Sequence, residues 1–264
     1  MRTFLLLLSV ILLTHISFAQ ADSAGKYFNS FDNTKICYEI KGEGEPVILV
    51  HGFMNTADTW KKTALYSALL NAGFKVITSD LRGNGRSDKP HSDEGYANDA
   101  EAKDVMQLAS LLHLKNYDVV GYSRGSIITS RLLVLDDRIN KAVIGGMGAD
   151  FTDPEWPRRK MLARALMGDT VKELEGMIKY VKESGLDQQA LAYQQRQQPS
   201  TSKEELAKIK IPVLVVCGKE DDANGSGEEL TKLVPGAKFT TVPGDHGAAM
   251  RTKEFAEAVV RFLK

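Results

Sequence analysis

The feature that most constrains this chain is a regular alternation of short apolar runs with longer stretches of helical periodicity. Four of the apolar runs are Val47–Val50, Phe74–Ser79, Tyr117–Val120 and Ile211–Cys217. A short run that is apolar on both faces predicts a strand buried on both sides, and the periodic stretches between the runs predict helices. The alternation therefore predicts an α/β fold, with a mainly parallel, doubly wound sheet and helices on both faces.

Two helices are predicted before the middle of the chain. The first covers Thr56–Ala72, and Gly73 after it is a typical signal for the end of a helix. The second covers Ala97–Leu114 and has apolar residues at helical spacing. The segment between the second strand and this second helix, Asp80–Tyr96, is polar and rich in glycine. It therefore predicts a loop.

The alternation is interrupted over residues 149–200. Within this stretch Val171, Leu174, Ile178 and Val181 recur at a helical period, so we predict a helical insertion that forms a small cap. The predicted organisation is an N-terminal part of the core over residues 22–148, the cap over 149–200, and a C-terminal part of the core over 201–264.

The first 21 residues have the pattern of a secretory signal peptide. Arg2 gives a positive start, Phe4–Leu13 is an apolar run, and small residues follow at Ser17, Ala19 and Ala21. The run is shorter than the roughly 20 residues that span a bilayer. We predict cleavage after Ala19 or Ala21, no stable membrane insertion afterwards, and a periplasmic or secreted protein. An uncleaved anchor is the alternative.

Charge and cysteine content limit the partners of the chain. The formal net charge is zero, which gives no support to nucleic acid or an anionic membrane as a partner. The two cysteines, Cys37 and Cys217, lie in strand-like apolar runs, so buried free thiols are predicted rather than a disulfide framework. No set of histidines, cysteines and carboxylates has metal-ligand spacing, and we predict no metal and no cofactor.

The strongest chemical motif is Gly121-Tyr122-Ser123-Arg124-Gly125, which matches G-x-S-x-G. It lies between a predicted strand and a predicted helix, which is the context that the motif requires. At such a sharp turn the serine hydroxyl is presented at the edge of the sheet. The helix that follows adds partial positive charge where negative charge develops. We therefore predict Ser123 as a nucleophile.

Four segments in this order resemble the α/β-hydrolase superfamily, specifically its serine esterase and lipase-like branch with a small helical cap. The resemblance covers about Lys26 to Lys264. Its segments are the strand ending in His51-Gly52-Phe53, the loop Asp80-Leu81-Arg82-Gly83-Asn84-Gly85-Arg86-Ser87, the Ser123 turn, and the late acid and histidine segments.

The resemblance implies a Ser-His-Asp triad with a backbone oxyanion hole. The histidine would be His246, which lies between the last strand and the last helix, and the oxyanion donors would be the N–H groups of Phe53 and Arg124. His51 is interpreted as a structural histidine of its loop.

The family's spacing after the strand Ile211–Cys217 implies Asp221 as the triad acid. The neighbouring carboxylates leave Glu220 and Asp222 as alternatives, and Asp150 is a further one because some family members take the acid from the end of the preceding strand.

The side chains of the substrate pocket are a weaker prediction. Tyr122, Met147 and Trp156 are the candidates, and further apolar residues could join them. These are Phe53, Trp60, Met161, Leu166 and Met177. The Arg124 side chain would pair either with a substrate carboxylate or with a nearby acidic residue, and the second interpretation is preferred.

The predicted function is hydrolysis of a small to medium carboxylic ester or lactone through an acyl-enzyme, so the expected partner is a small-molecule ester-like substrate. One alternative is another reaction on the same fold: cleavage of an amide, thioester or carbon–carbon bond, or cofactor-free perhydrolysis. Another alternative is a non-catalytic ligand-binding protein, because a fold does not fix a function.

Overall fold

The structure is a computed structural model, and it describes residues 25–264. The signal peptide predicted over residues 1–21 lies outside the described residues. The described part contains one sheet of eight strands. The strands are β1 (Lys26–Asn29), β2 (Lys35–Lys41), β3 (Pro46–Val50), β4 (Lys75–Ser79), β5 (Tyr117–Tyr122), β6 (Ile139–Gly145), β7 (Val213–Gly218) and β8 (Lys238–Val242).

The strand order across the sheet is β1-β2-β4-β3-β5-β6-β7-β8. Strands β1 and β2 form a hairpin, β2 runs antiparallel to β4, and every pair from β4 through β8 is parallel. The prediction of a mainly parallel sheet is therefore confirmed. In a parallel sheet the carboxyl ends of the strands meet at one edge, and this edge is where ligand sites form.

Helices fill the connections between strands and cover both faces of the sheet. The helices are α1 (Ala57–Lys61), α2 (Ala64–Asn71), α3 (Ala100–Leu111), α4 (Arg124–Leu135), α5 (Pro157–Met167), α6 (Glu175–Glu183), α7 (Gln188–Arg196), α8 (Lys203–Leu206), α9 (Gly227–Leu233) and α10 (Lys253–Leu263). None of those in residues 25–264 combines the length and the apolar character that crossing a bilayer requires.

The sheet has a hydrophobic core on each face, because successive side chains of a strand point to opposite sides. In β3, Ile48 packs in one core while Val47 and Leu49 pack in the other. The first core is closed by α3, α4 and α9, and the second by α2 and α10. Burial on both faces explains why the central strands are apolar at nearly every position.

The segment between β6 and β7 carries α5, α6, α7 and α8, and we call its residues 149–200 the cap. The cap has a small core of its own, formed by Leu166, Val181, Leu191 and Ala192. Phe53 and Met54, from the loop after β3, pack against this cluster. The cap therefore rests on the loop that the sequence associates with the oxyanion hole.

The single helix predicted over Thr56–Ala72 is wrong, because the structure has α1 and α2 in its place. Thr63 between them is extended, with φ −100° and ψ 154°, and its hydroxyl accepts a hydrogen bond from the Tyr66 N–H. The same hydroxyl donates to the Trp60 carbonyl. A threonine that serves as an N-cap in this way begins a new helix.

The second predicted helix also starts later than expected. Asn98 and Asp99 have positive φ values of 55° and 62°, so α3 begins at Ala100 rather than at Ala97.

Candidate active site

Ser123 occupies the sharp turn between β5 and α4. Its φ of 54° and ψ of −125° lie in a region that side-chain-bearing residues rarely adopt. The Ser123 N–H donates to the Gly145 carbonyl over 2.8 Å, which ties the turn to the neighbouring strand β6. The turn therefore presents the serine hydroxyl at the carboxyl edge of the sheet.

The two glycines of the motif are required by close backbone packing. A Cβ at Gly125 would lie 2.1 Å from the Val50 carbonyl oxygen, and one at Gly121 would lie 2.4 Å from the Gly125 carbonyl oxygen. Neither space admits a side chain. Glycine at these positions allows α4 to start directly against β3.

The structure brings Ser123, His246 and Asp221 together from three different strand ends. His246 Nε2 lies 2.9 Å from Ser123 Oγ, and His246 Nδ1 lies 2.9 Å from Asp221 Oδ2. With the Nδ1 proton donated to the carboxylate, Nε2 is free to accept the serine proton. The arrangement has the geometry of a nucleophile, a base and an orienting acid.

The alternative acids lie elsewhere. Asp221 is buried, with 3 % of its side chain exposed, whereas Glu220 and Asp222 are exposed to solvent. Asp150 points toward Gly225, where a Cβ would lie 2.2 Å from its Oδ1. Among the four carboxylates considered, only Asp221 is within hydrogen-bonding distance of His246 in the described residues.

The loop that carries His246 is fixed by Tyr122. The Tyr122 hydroxyl donates to the His246 carbonyl over 2.7 Å, and its ring packs edge-on against Phe255 at 5.6 Å between centroids. Tyr122 is 3 % exposed, so it borders the site while serving mainly as a support for the histidine loop. Burial raises the pKa of the Tyr122 hydroxyl, which keeps it a neutral donor.

Asn224 is a neighbour of the site that the sequence did not indicate. Its Nδ2 donates to the Gly146 carbonyl over 3.2 Å and lies 3.5 Å from His246 Nδ1. It follows Asp221 by three positions in the same loop. Its amide therefore lies beside the imidazole, on the side that faces Asp221.

The residues predicted to donate to the oxyanion, Phe53 and Arg124, line the same cavity as Ser123. Arg124 is the first residue of α4, and N–H groups in the first turn of a helix have no acceptor within the helix. Gly52 packs on the nucleophile turn, since a Cβ at Gly52 would lie 3.2 Å from Ser123 Cβ. Phe53, the next residue, therefore begins its loop directly beside the serine.

His51 is buried and hydrogen-bonded through both ring nitrogens. Nε2 accepts from the Leu81 N–H over 3.0 Å, so Nδ1 carries the proton and donates to the Gly52 carbonyl over 2.9 Å. Burial lowers the pKa of His51 below its usual 6.5. A neutral histidine with both nitrogens engaged supports the loop after β3 and has no free nitrogen for chemistry.

The Arg124 side chain turns away from the reacting atoms and pairs with Glu101 of α3. Its Nη1 donates to Glu101 Oε1 over 2.6 Å, its Nη2 contacts Glu101 Oε2, and Nη2 also donates to the Gln194 carbonyl of α7 over 3.0 Å. Both charged groups are buried. The guanidinium and the carboxylate therefore form a bidentate ion pair. It links the nucleophile turn to the cap.

A cavity of about 390 Å³ opens above Ser123 between the core and the cap. Ligand sites for small molecules start at roughly this size. The predicted pocket residues Met147, Trp156 and Tyr122 all border it, as do Phe53 and Met177.

Some predicted pocket residues lie elsewhere. Trp60 is a residue of α1 and is fully buried in the hydrophobic core of the sheet. Leu166 belongs to the small core of the cap. Met161 is also absent from the cavity wall. Several residues that do line it were not predicted, namely Arg158, Leu162, Tyr180, Gln198, Met250 and Arg251. Which face of a cap helix meets the core depends on tertiary packing, and helical periodicity does not report it.

Comparison with known proteins agrees with the observed fold. A family model described as the alpha/beta hydrolase fold matches residues 45–166. A putative non-heme chloroperoxidase from Synechocystis sp. is 43 % identical over 111 residues, which is 41 % of this chain and 39 % of that relative. The matches to the first three curated relatives cover between 36 % and 41 % of their own lengths.

Solved structures match nearly the whole described chain. A bromoperoxidase from Bacillus anthracis has a TM-score of 0.72 at 27 % identity, and the match covers 91 % of this chain and 99 % of that one. An esterase from Exiguobacterium antarcticum has a TM-score of 0.75 at 21 % identity over 90 % of this chain and 99 % of that one, which is a likeness of fold.

The eight-stranded sheet, the strained serine turn and the family match therefore agree. The chain has the α/β-hydrolase fold, and its residues 45–166 match the family model of that fold.

Proposed function

We propose that the protein is a serine hydrolase that cleaves a small to medium carboxylic ester or lactone. The observation that carries the proposal is the continuous hydrogen-bonded chain from Ser123 through His246 to Asp221, with 2.9 Å at each step. The cavity of about 390 Å³ above the serine supports a substrate of modest size.

The proposed reaction has two acyl-transfer steps. Ser123 Oγ bonds to the substrate carbonyl carbon while His246 Nε2 takes the hydroxyl proton, and that proton then passes to the departing alkoxide. Water, activated by the same nitrogen, attacks the acyl-enzyme and releases the carboxylic acid. The N–H groups of Phe53 and Arg124 are proposed to donate hydrogen bonds to the oxyanion in both steps. Removing one such donor raises the activation free energy by about 3–4 kcal/mol in studied enzymes.

The first test is hydrolysis of p-nitrophenyl esters of increasing acyl length by the wild type and by site variants. Ser123→Ala should lower kcat by about 10⁶-fold and Asp221→Asn by about 10⁴-fold. Asp222→Asn is the matched control, because it removes the adjacent exposed carboxylate, and it should keep the wild-type rate. Turnover that survives Ser123→Ala would contradict the proposal, and absence of turnover by the wild type would favour a ligand-binding protein.

The names of similar proteins favour a second candidate reaction. The Synechocystis relative is named a chloroperoxidase and the B. anthracis structure a bromoperoxidase. We propose that hydrogen peroxide could replace water in the second step, so that the acyl-enzyme yields a peracid and free Ser123. The peracid would then oxidise bromide to hypobromite and return to the carboxylic acid.

Bromination of phenol red by hydrogen peroxide and bromide, with an acetate ester as the acyl donor, tests this second candidate. Bromination by the wild type that disappears in Ser123→Ala would support it. Bromination at equal rates in both proteins would contradict it, because the acyl-enzyme would then play no part.

A further inference from the structure

The wall of the catalytic cavity carries positive charge that no residue of the wall offsets. Among residues 25–264, three arginines line the cavity, Arg124, Arg158 and Arg251, and no aspartate or glutamate does. Glu101 neutralises Arg124 from behind. Arg158 and Arg251 are exposed to solvent, and within residues 25–264 neither has a carboxylate at ion-pair distance.

These two arginines differ from most others in the molecule. In the described part of the chain, every other arginine except Arg261 donates a side-chain hydrogen bond to a carboxylate or to a backbone carbonyl. Those that do are Arg82, Arg86, Arg124, Arg131, Arg138, Arg159, Arg164 and Arg196. Two of the three arginines without such an acceptor therefore line the cavity that contains Ser123.

The two cations approach the cavity from opposite parts of the fold. Arg158 is the second residue of α5 in the cap. Arg251 ends a 3-10 helix over Ala249–Arg251, five positions after His246 in the core. An anion bound by both side chains would lie at the junction of the cap and the core, in the same cavity as the nucleophile.

Four acidic groups in the neighbouring loops do not line the cavity. Asp150 and Asp153 border a second surface depression, which Arg158 also borders, and neither forms an ion pair with Arg158. Asp245 accepts hydrogen bonds from two backbone N–H groups of its own turn, and Asp221 is engaged with His246. None of these four carboxylates lines the catalytic cavity, so the net charge of its wall is positive.

The rest of the wall is largely apolar. Its apolar residues include Phe53, Met147, Trp156, Leu162, Met177 and Met250, and the neutral polar residues Asn55, Thr59, Gln195, Gln198 and Asn224 also line it. An apolar wall with two unpaired guanidinium groups suits a ligand that has a hydrocarbon body and one anionic end. Guanidinium groups are well matched to carboxylates because they present paired donors in a plane.

We propose that the substrate carries a carboxylate in addition to its scissile ester or lactone, and that Arg158 and Arg251 bind this carboxylate. The inference rests on the proposed hydrolase function, since it names the substrate class of the same site. It also predicts that anionic esters enter the cavity faster than neutral ones at low ionic strength, because positive walls attract them.

The kinetic test compares two esters of similar size, mono-p-nitrophenyl adipate, which is an anion, and its neutral methyl ester. We expect kcat/KM to be about tenfold higher for the anion, with the preference reduced by salt. Arg158→Gln and Arg251→Gln should each lower the ratio of the two kcat/KM values several-fold. Equal kcat/KM values in the wild type, or a ratio that neither variant changes, would overturn the proposal.

The matched control is Arg164→Gln, which removes one positive charge from the same helix α5. Arg164 lies outside the cavity and pairs with Asp169 on the surface. The anion preference should remain at its wild-type value in this variant. A loss as large as that of Arg158→Gln would show that overall charge, rather than a carboxylate site, sets the preference.

A binding measurement separates failure of this inference from failure of the proposed function. Calorimetry with the Ser123→Ala protein compares monomethyl adipate with dimethyl adipate and requires no turnover. The anion should bind about tenfold more tightly, and adding Arg158→Gln should reduce this difference several-fold. If the wild type hydrolyses neither ester but this difference is present, only the hydrolase proposal fails; equal binding, or none, overturns the carboxylate site.

Discussion

Ser123 adopts a backbone conformation that its neighbours must maintain. With φ at 54° and ψ at −125°, the residue is in a region that costs about 1–3 kcal/mol for a residue with a side chain. The hydrogen bond to Gly145 and the close contact of Gly125 with Val50 hold the turn in place. The strained backbone is therefore the conformation that places the Ser123 hydroxyl at the edge of the sheet.

This strain predicts a difference between two inactive variants. Ser123→Gly relieves the strain and Ser123→Ala does not, so the glycine variant should have a free energy of unfolding about 1 kcal/mol higher than the alanine variant. Urea unfolding followed by circular dichroism measures the difference. An alanine variant as stable as the glycine variant would show that the turn is not strained.

His51 predicts a pH dependence of stability. Because burial lowers its pKa below 6.5 in the folded protein, the unfolded chain binds a proton below pH 6.5 that the folded chain does not. Its contribution to the free energy of unfolding is therefore present above pH 6.5 and is lost as the pH falls below 6.5 toward the lowered pKa of the folded protein. His51→Gln should show a shallower decline in urea unfolding over this range; an identical decline would contradict the assignment.

The residues of the site differ in how far the sequence could predict them. The positions of Ser123 and His246 follow from short motifs at strand ends and from the resemblance that they carry. For the acid, the spacing favoured Asp221 but left Glu220, Asp222 and Asp150 open, because adjacent carboxylates look alike in sequence. The pairing of Arg124 with Glu101 joins α4 to α3 across 23 positions of sequence, and no local pattern reports such a contact. Nothing in the sequence distinguished Arg158 and Arg251 from other surface arginines.

The turn between β5 and α4 is the element on which the site depends. Strand β5 is buried along its whole length, and α4 starts immediately after Ser123 with its first turn against the end of β3. That packing is possible because Gly125 has no side chain. Helical periodicity was misleading between β3 and β4. It predicted one helix over Thr56–Ala72, and the structure has two helices separated at Thr63.

Two glycine substitutions test this packing. Gly125→Ala places a Cβ 2.1 Å from the Val50 carbonyl oxygen, a rigid backbone atom, and should destabilise the protein by several kcal/mol or prevent folding. Gly176→Ala in α6 is the control, because a Cβ there meets no atom within 4 Å. It should stabilise the protein by about 0.5–1 kcal/mol. Thermal unfolding of both variants measures the two changes in stability. A Gly125→Ala protein as stable as the wild type would contradict the close packing of Gly125 against Val50.

The sheet as a whole keeps the two cysteines apart. Cys37 is in β2 and Cys217 is in β7, and four strands lie between them in the sheet. At about 4.8 Å per strand the separation is far greater than a disulfide allows. Both thiols are free and buried, and burial raises the pKa of Cys217 to about 11.

The thiols should therefore be unreactive in the native protein. A colorimetric disulfide reagent at pH 8 should detect no fast-reacting thiol before unfolding and both cysteines in guanidinium chloride. The melting temperature should be the same with and without reductant. A thiol that reacts rapidly in the native state would show that one of these strands is more open than the structure has it.

At the scale of the whole molecule the sequence predicted the layers of the fold and a helical cap over residues 149–200, but it left the packing of that cap on the core undetermined. Strand and helix alternation fixes a doubly wound sheet, because apolar strands must be covered on both faces. The placement of the cap over the cavity depends on contacts such as Gln194 with Arg124, which are tertiary. Export by the first 21 residues stays a prediction, and the mass of the protein secreted by its host would test it.

The most direct test of the central claim is the location of a covalent adduct. The purified protein is treated with a fluorophosphonate, digested, and analysed by mass spectrometry, with Ser123→Ala treated in parallel. The account predicts one adduct per chain, on the peptide containing Ser123, and none in the variant. An adduct on another residue, or equal labelling of both proteins, would contradict the assignment of Ser123 as the nucleophile.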